Sequence, residues 1–521
     1  MIKPEKVICN CRRIRNSEET MNSTAKTHIV MLPFLAQGHI IPFLALAKQI
    51  EQRTHFTITI VSTPLNIHHL KSTTPPSTTT INFTDLPFCS SDHGLPPNSE
   101  NTDSLSQSQI INLVDASQTL QPSFHNLISN MIQQHGCPPL CIISDVFMGW
   151  AINVAKSFET PHFTFITGGA FGTAAYFSIW LNFPHRKTTS DEFSVPGFPE
   201  TCRFHRSQLH PLLRAADGTD IWSRLIQRQI LLSLCSNGML CNTVEEIEPM
   251  GLDILRKITG LPVWTVGPLL PPSLLNRSAS SSFLSSPLNV SFSRSGKEPG
   301  IATENCINWL NYHPPESVLY ISFGSQNTIS STQMMELAMG LEASGKPFIW
   351  VVRPPIGFDI KGEFRAEWLP EGYEERVSKR KQGMVLHRWA PQLEILSNGS
   401  TGAFLSHCGW NSMLESLNQG LPIIGWPIAA EQAYNSKMME EEMGVCVELT
   451  RGLESWVRRE EVERVVRMVM NKEGKGLEMK RKAMEIAEKI RDSVREDGDW
   501  KGSSLKSLDD FLDTVVLSRE R

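Results

Sequence analysis

No uninterrupted apolar run in this 521-residue chain reaches the roughly 18 residues that a membrane span needs. The nearest, residues 29–47, is broken by Gln37, Gly38 and His39 and closed by Lys48. There is no basic excess either. Lys and Arg number 49 against 54 Asp and Glu, a net charge of −5, so neither nucleic acid nor an anionic membrane is suggested as a partner. The 11 cysteines lack metal-ligand spacing. Cys9 and Cys11 stand too close for a zinc knuckle, and Cys137 and Cys141 have no second pair. An odd count in a long chain reads as reduced thiols in a cytoplasmic protein. No G-x-G-x-x-G follows the first strand of either half, which argues against a nicotinamide-dependent dehydrogenase.

What is present is ordinary globular composition, 40% apolar and 20% charged, at a length that implies about two to three domains. Residues 1–22 are polar and mixed in charge, and read as a disordered extension. Residues 28–33 then read as a strand rather than a signal peptide, because a polar turn and an amphipathic helix (41–50) follow at once. Further strands are expected at 56–62, 80–85, 140–145, 162–166 and 239–243, with helices near 110–133 and 149–158. Strands alternating with helices imply βαβ units and a parallel sheet. Residues 271–300, rich in Ser, Pro and Asn, read as a linker. The alternation restarts at 318–323 and continues through 347–352, 384–386, 401–406 and 421–424. The expected fold is α/β: two doubly wound Rossmann-like domains facing across a cleft. The N-terminal domain spans 23–270, the C-terminal domain 301–502, and a last helix (503–521) is expected to pack back on the N-terminal domain.

The most informative stretch runs from Trp389 to Gln432. Residues 401–406 read as a buried strand and 411–418 as a helix stopped by Gly420. Between them His407-Cys408-Gly409-Trp410-Asn411-Ser412 forms a strand-to-helix turn. Its unsatisfied backbone N–H groups and the helix dipole favour an anion such as a phosphate. The whole stretch, ungapped, resembles the donor-binding box of the plant secondary-product glycosyltransferases, the family 1 UDP-glycosyltransferases. That resemblance implies the two-domain fold called GT-B, with donor in the C-terminal half and acceptor in the N-terminal half.

Two residues carry the expected chemistry. His39 follows the first strand at a helix N-terminus, where the dipole should keep the imidazole neutral and able to accept a proton. It matches the family's catalytic histidine loop; otherwise it is a helix cap. Asp145 ends the fourth strand, which in a sheet of order 3-2-1-4-5 flanks the first at the switch point. It could fix the imidazole tautomer, and matches the family's partner aspartate, or it could cap the next helix.

The resemblance places UDP-sugar on Ser325, Trp389, Ala390, Gln392, His407, Gly409, Trp410, Asn411, Ser412, Glu415, Glu431, Gln432 and Thr167. Trp389 would stack on uracil, unless it is a core tryptophan. Glu415 would hold the ribose hydroxyls, although Ser412-x-x-Glu415 is also a capping-box pattern. Glu431 and Gln432 would meet the sugar hydroxyls, with helix capping as the plainer role for Glu431. No cofactor and no metal are expected, since no carboxylate pair stands beside the turn. Phe88, Phe147, Phe171, Phe177 and Trp180 are expected to line the acceptor pocket. The reading is an inverting glycosyltransferase, monomeric, moving a sugar, most simply glucose, to a hydroxyl of a small phenolic such as a flavonoid. A terpenoid or hormone acceptor, and a sugar-nucleotide-binding protein without catalysis, are the alternatives.

Overall fold

The computed structural model describes residues 27–74, 79–275, 300–452 and 455–519. The expected N-terminal extension and most of the expected linker lie outside them. Seven strands form the first sheet: β1 (His28–Leu32), β2 (Thr57–Ser62), β3 (Asn82–Asp85), β4 (Cys141–Asp145), β5 (His162–Ile166), β6 (Gly238–Cys241) and β7 (Val263–Thr265). Their order is β3-β2-β1-β4-β5-β6-β7 and every pairing is parallel. The second sheet contains β8 (Val318–Ser322), β9 (Phe348–Val352), β10 (Gly383–His387), β11 (Thr401–Ser406), β12 (Ile423–Gly425) and β13 (Cys446–Glu448). It is also all parallel, in the order β10-β9-β8-β11-β12-β13. Continuous apolar strands such as HIVML and VLYIS are buried along their whole length, because crossover helices cover both faces of a parallel sheet.

Chain order reverses between β1 and β4 in one sheet and between β8 and β11 in the other. A crevice therefore opens at the carboxyl ends of these strands, where open α/β sheets take their ligands. Five helices matter to it: α1 (Gln37–Arg53), α2 (Ala170–Asn182), α3 (Trp410–Leu417), α4 (Gln432–Met438) and α5 (Ser503–Arg519). α1 starts earlier than its periodicity suggests, so His39 sits in its first turn rather than in the preceding loop. Pro42 lies inside α1. It has no N–H, so the carbonyl four residues back, on Gly38, loses its helical partner.

The halves are not loosely tethered. One apolar cluster includes Phe171, Phe204 and Ile230 of the first half together with Met413, Tyr434 and Met438 of the second. Phe204 meets Tyr434 edge-on at 5.8 Å, and the buried Lys437 ammonium lies 5.5 Å from the Phe204 ring. α5 returns to the first sheet: Phe511 packs on Phe163 (5.0 Å) and Trp264 (5.5 Å), and Asp509 takes a bidentate pair from Arg53. No helix among the described residues is long and apolar enough to cross a membrane.

Candidate active site

β1 and β4 bring His39 and Asp145 together. Asp145 Oδ2 accepts from His39 Nδ1 at 2.7 Å, and its other oxygen accepts from Phe147 N at 3.0 Å. One fully buried carboxylate thus both orients the ring and caps the short turn Val146–Met148. The two roles weighed for Asp145 are compatible. An ionised carboxylate can only accept, so the proton sits on Nδ1 and Nε2 keeps its lone pair. Nε2 makes no hydrogen bond among the described residues. The helix N-terminus does not keep this ring easy to deprotonate, as the sequence suggests. Burial would lower the imidazole, but the Asp145 carboxylate beside it, with Glu431 adding, holds it above the usual 6.5.

Aromatic rings stand beside the base. Phe34 lies 5.4 Å and Phe147 5.8 Å from the His39 ring, and Tyr176 stands 6.5 Å beyond Phe147. Phe88 is half-buried and stacks on His93 (5.3 Å) next to this group. Phe171, Phe177 and Trp180 are placed differently from expectation. They are 1%, 1% and 3% exposed on α2, where Phe171 packs against Phe198 and Phe204 in the core. α2 is apolar all round, so its period could not tell which face meets a ligand. Phe34 and Tyr176 were not singled out from sequence. Phe34 could have been, since it lies two residues past β1 on the way to His39.

Across the crevice, β11 ends at Ser406 and α3 begins at Trp410, with Gly409 as its N-cap. The His407 ring lies between Gly324 and Gly409: a methyl on either would come within 2.6 or 2.5 Å of its Nε2. Burial, helped by the Arg353 guanidinium, pushes His407 down to about 4, so the ring is neutral and can donate one N–H. Ser325 stands on the turn after β8, next to Gly324. Arg353 was missed from sequence although it directly follows β9, at a ligand-facing strand end. Its guanidinium lies 5.8 Å from the Trp389 ring, and the residue lines a small cleft with Ser322, Gly324 and Asn327. Ala390, next to Trp389, is 9% exposed.

Gln392 does not stand free for a base. Its amide donates to Ser412 Oγ (3.1 Å) and Glu415 Oε2 (2.6 Å), while its oxygen accepts from the Tyr320 hydroxyl (3.3 Å). Ser412 lies inside α3, two residues past its first, so the capping-box reading of Ser412 and Glu415 does not hold. Gln432 Oε1 accepts from Ile428 N (3.0 Å) and Ala429 N (2.8 Å), and its NH₂ makes no bond among the described residues. Glu431 caps nothing with its side chain. Its carboxylate meets Asn435 at 3.3 Å, and burial raises it above the usual carboxylate range.

Three expected donor residues have partners within the protein, two of them on the other domain. The Trp410 indole N–H donates to Asn242 O at 2.6 Å, and the ring is 3% exposed. Asn411 Nδ2 donates to Gly38 O at 2.9 Å. Thr167 Oγ1 lies 3.2 Å from His39 Nδ1. The sequence resemblance assigned all three to the nucleotide sugar; what they touch here is the partner domain or the base. Among the described residues no group of three or more His, Cys, Asp or Glu could hold a metal ion.

With this geometry in view, comparison with known proteins is informative. Residues 25–271 match the family described as "Glycosyltransferase, N-terminal domain", and residues 303–492 match "UDP-glucoronosyl and UDP-glucosyl transferase". Crocetin glucosyltransferase 3 from Crocus sativus is 48% identical, over 86% of this chain and 92% of that protein. UDP-glycosyltransferase 92A1 from Arabidopsis thaliana is 43% identical, over 94% and 97%. The crystal structure of Glycyrrhiza uralensis UGT73P12 with glycyrrhetinic acid 3-O-monoglucuronide superposes with a TM-score of 0.78, at 27% identity, covering 95% of this chain and 96% of that one. Phytolacca americana UGT2 with UDP-2fluoro-glucose and pterostilbene gives 0.72 at 26% identity, covering 94% and 99%.

Proposed function

We infer the reaction from the family: the chain belongs to the plant family 1 UDP-glycosyltransferases, and we propose that it moves glucose from UDP-glucose to a hydroxyl of a small aromatic acceptor, with inversion. His39 Nε2 takes the acceptor hydroxyl proton. The oxygen then forms its bond to the anomeric carbon from the face opposite UDP, while the bond from that carbon to the β-phosphate oxygen breaks and UDP leaves with the electron pair. Asp145 stabilises the imidazolium that results. The observation that carries this reading is the 2.7 Å His39–Asp145 pair, which leaves Nε2 without a hydrogen bond among the described residues and with the Phe34 and Phe147 rings beside it.

The leaving diphosphate would be met by the α3 N-terminus, neutral His407 and Arg353, which together supply positive potential without a metal. Trp389 suits the uracil face, and Glu415, held by Gln392, suits the ribose. Gln432 presents only its NH₂, since its oxygen holds the 428–429 loop, so it can donate to a sugar hydroxyl while Glu431 accepts. Losing one paired hydrogen bond in such a site costs about 1–3 kcal/mol. Gln432→Ala should therefore lower kcat/KM for UDP-glucose about tenfold or more, and wild-type protein should prefer UDP-glucose to UDP-galactose. A galactose preference would remove these two residues from donor choice.

For the acceptor, Phe34, Phe147 and Tyr176 favour a flat ring. Similar proteins are named for flavonoid, scopoletin and crocetin transfer, at 33%, 32% and 48% identity. The test is UDP release from UDP-glucose with one acceptor of each kind. No release with any of them, by protein that still binds UDP, would leave a nucleotide-sugar-binding protein instead.

A further inference from the structure

The turn that faces the donor also holds the base. Pro42 cannot donate to the Gly38 carbonyl, so that carbonyl stands open on the first turn of α1. Asn411, the second residue of α3, crosses the crevice and donates to it at 2.9 Å. Gly38 is bonded directly to His39. A second path runs through the neighbouring residue. Trp410 donates to Asn242 O (2.6 Å), Asn242 Nδ2 donates to Thr167 O (3.3 Å), and Thr167 Oγ1 meets His39 Nδ1 (3.2 Å). Asn242 and the Trp410 ring are fully or almost fully buried, 0% and 3% exposed. Gly169 leaves room for that ring, since a methyl there would stand 2.8 Å from Trp410 Cζ3. Two consecutive residues of one domain therefore grip the other on both sides of His39.

We propose that Trp410 and Asn411 are positioning residues for His39, so that the donor turn and the acceptor base are set by one another. This rests on His39 being the base. Neither side chain needs to touch the sugar for this. The grip aligns Nε2 with the acceptor oxygen relative to a donor fixed on the same turn, and alignment of reacting groups is where small displacements are amplified into rate. Reciprocity follows: whatever orders the turn, UDP included, orders the base.

Trp410→Phe removes the indole N–H while keeping an aromatic ring in the core. It should lower kcat about tenfold with saturating donor and acceptor, while the Kd for UDP in a calorimetric titration stays within about twofold. Thr167→Val cuts the same path one step later and should lower kcat similarly. The double variant should be no slower than the slower single one, because both act through one contact. Asn411→Ala, which leaves the buried cluster untouched, should also lower kcat at saturation and serves if Trp410→Phe folds poorly by its thermal melt. His39→Ala separates the two readings: turnover retained there overturns the base itself. If His39→Ala is inactive while Trp410→Phe and Asn411→Ala keep wild-type kcat, the positioning role falls and the base stands. A tenfold loss of UDP affinity or an altered glucose-to-galactose ratio in Trp410→Phe would return Trp410 to the donor site and overturn the proposal, as would additive losses in the double variant.

Discussion

His39 answers to two carboxylates, one on each side of the crevice, and this sets how the enzyme should respond to pH. The base works when unprotonated. Its folded value lies above 6.5, so kcat/KM should rise as pH increases through that higher value, and fall below it. Asp145→Asn removes the larger upward influence and should move the acid limb to lower pH, while reducing the plateau because the tautomer is no longer fixed. An acid limb that stays put in Asp145→Asn would mean another group sets it. Asn can still accept from Phe147 N through its oxygen, so the melting temperature should change little. Arg353 carries a second test. Arg353→Met keeps bulk beside Trp389 and removes the charge, so it should weaken UDP about tenfold and uridine little, as measured by calorimetry. Equal losses for the two ligands would make Arg353 a support for the Trp389 ring instead. Tyr176 was invisible in the sequence because it sits within a helix that is apolar all round, where nothing in the pattern marks a ligand-facing position, whereas Arg353 was marked only by its place at a strand end. His39 and Asp145 were legible because strand ends at a switch point can be counted from the alternation of elements.

Among the elements, α2 is closely held at its start. Its N-terminal amides of Ala170 and Phe171 are capped by the buried Glu248 carboxylate at 2.9 and 3.0 Å, and Gly169 sits between that carboxylate and the Trp410 ring. A methyl at Gly169 would lie 2.9 Å from both Glu248 oxygens and 2.8 Å from the indole. Gly169→Ala should therefore cost about 1–3 kcal/mol, as overpacking does, read as a lower denaturant midpoint with unchanged slope. An unaltered midpoint would show that the crevice wall yields without cost. The strands were legible because buried parallel strands are short apolar runs between turns. α2 was legible as a helix but not in its facing, and three of its aromatics, expected in the pocket, fill the core. The same limit applied to Ser412 and Glu415. Their spacing fits a capping box, but α3 starts at Trp410, and Gln392, 23 residues away in sequence, holds the glutamate instead.

At the scale of the whole molecule, the two sheets share one apolar cluster, and the last helix of the described residues lies on the sheet that holds the first strand. Phe511 is fully buried against Phe163 and Trp264, and Phe511→Ala should cost about 3–5 kcal/mol, measured as a fall in the unfolding midpoint of the full chain. Unchanged stability would mean that α5 is an appendage rather than part of the first core. If α5 belongs to that core, time enters the account of how this protein is made. A ribosome adding about 5–20 residues per second finishes β7 roughly ten to fifty seconds before α5 emerges. Throughout that interval the sheet bearing His39 stands with Phe163 and Trp264 uncovered, so the half of the enzyme that is synthesised first is the half completed last.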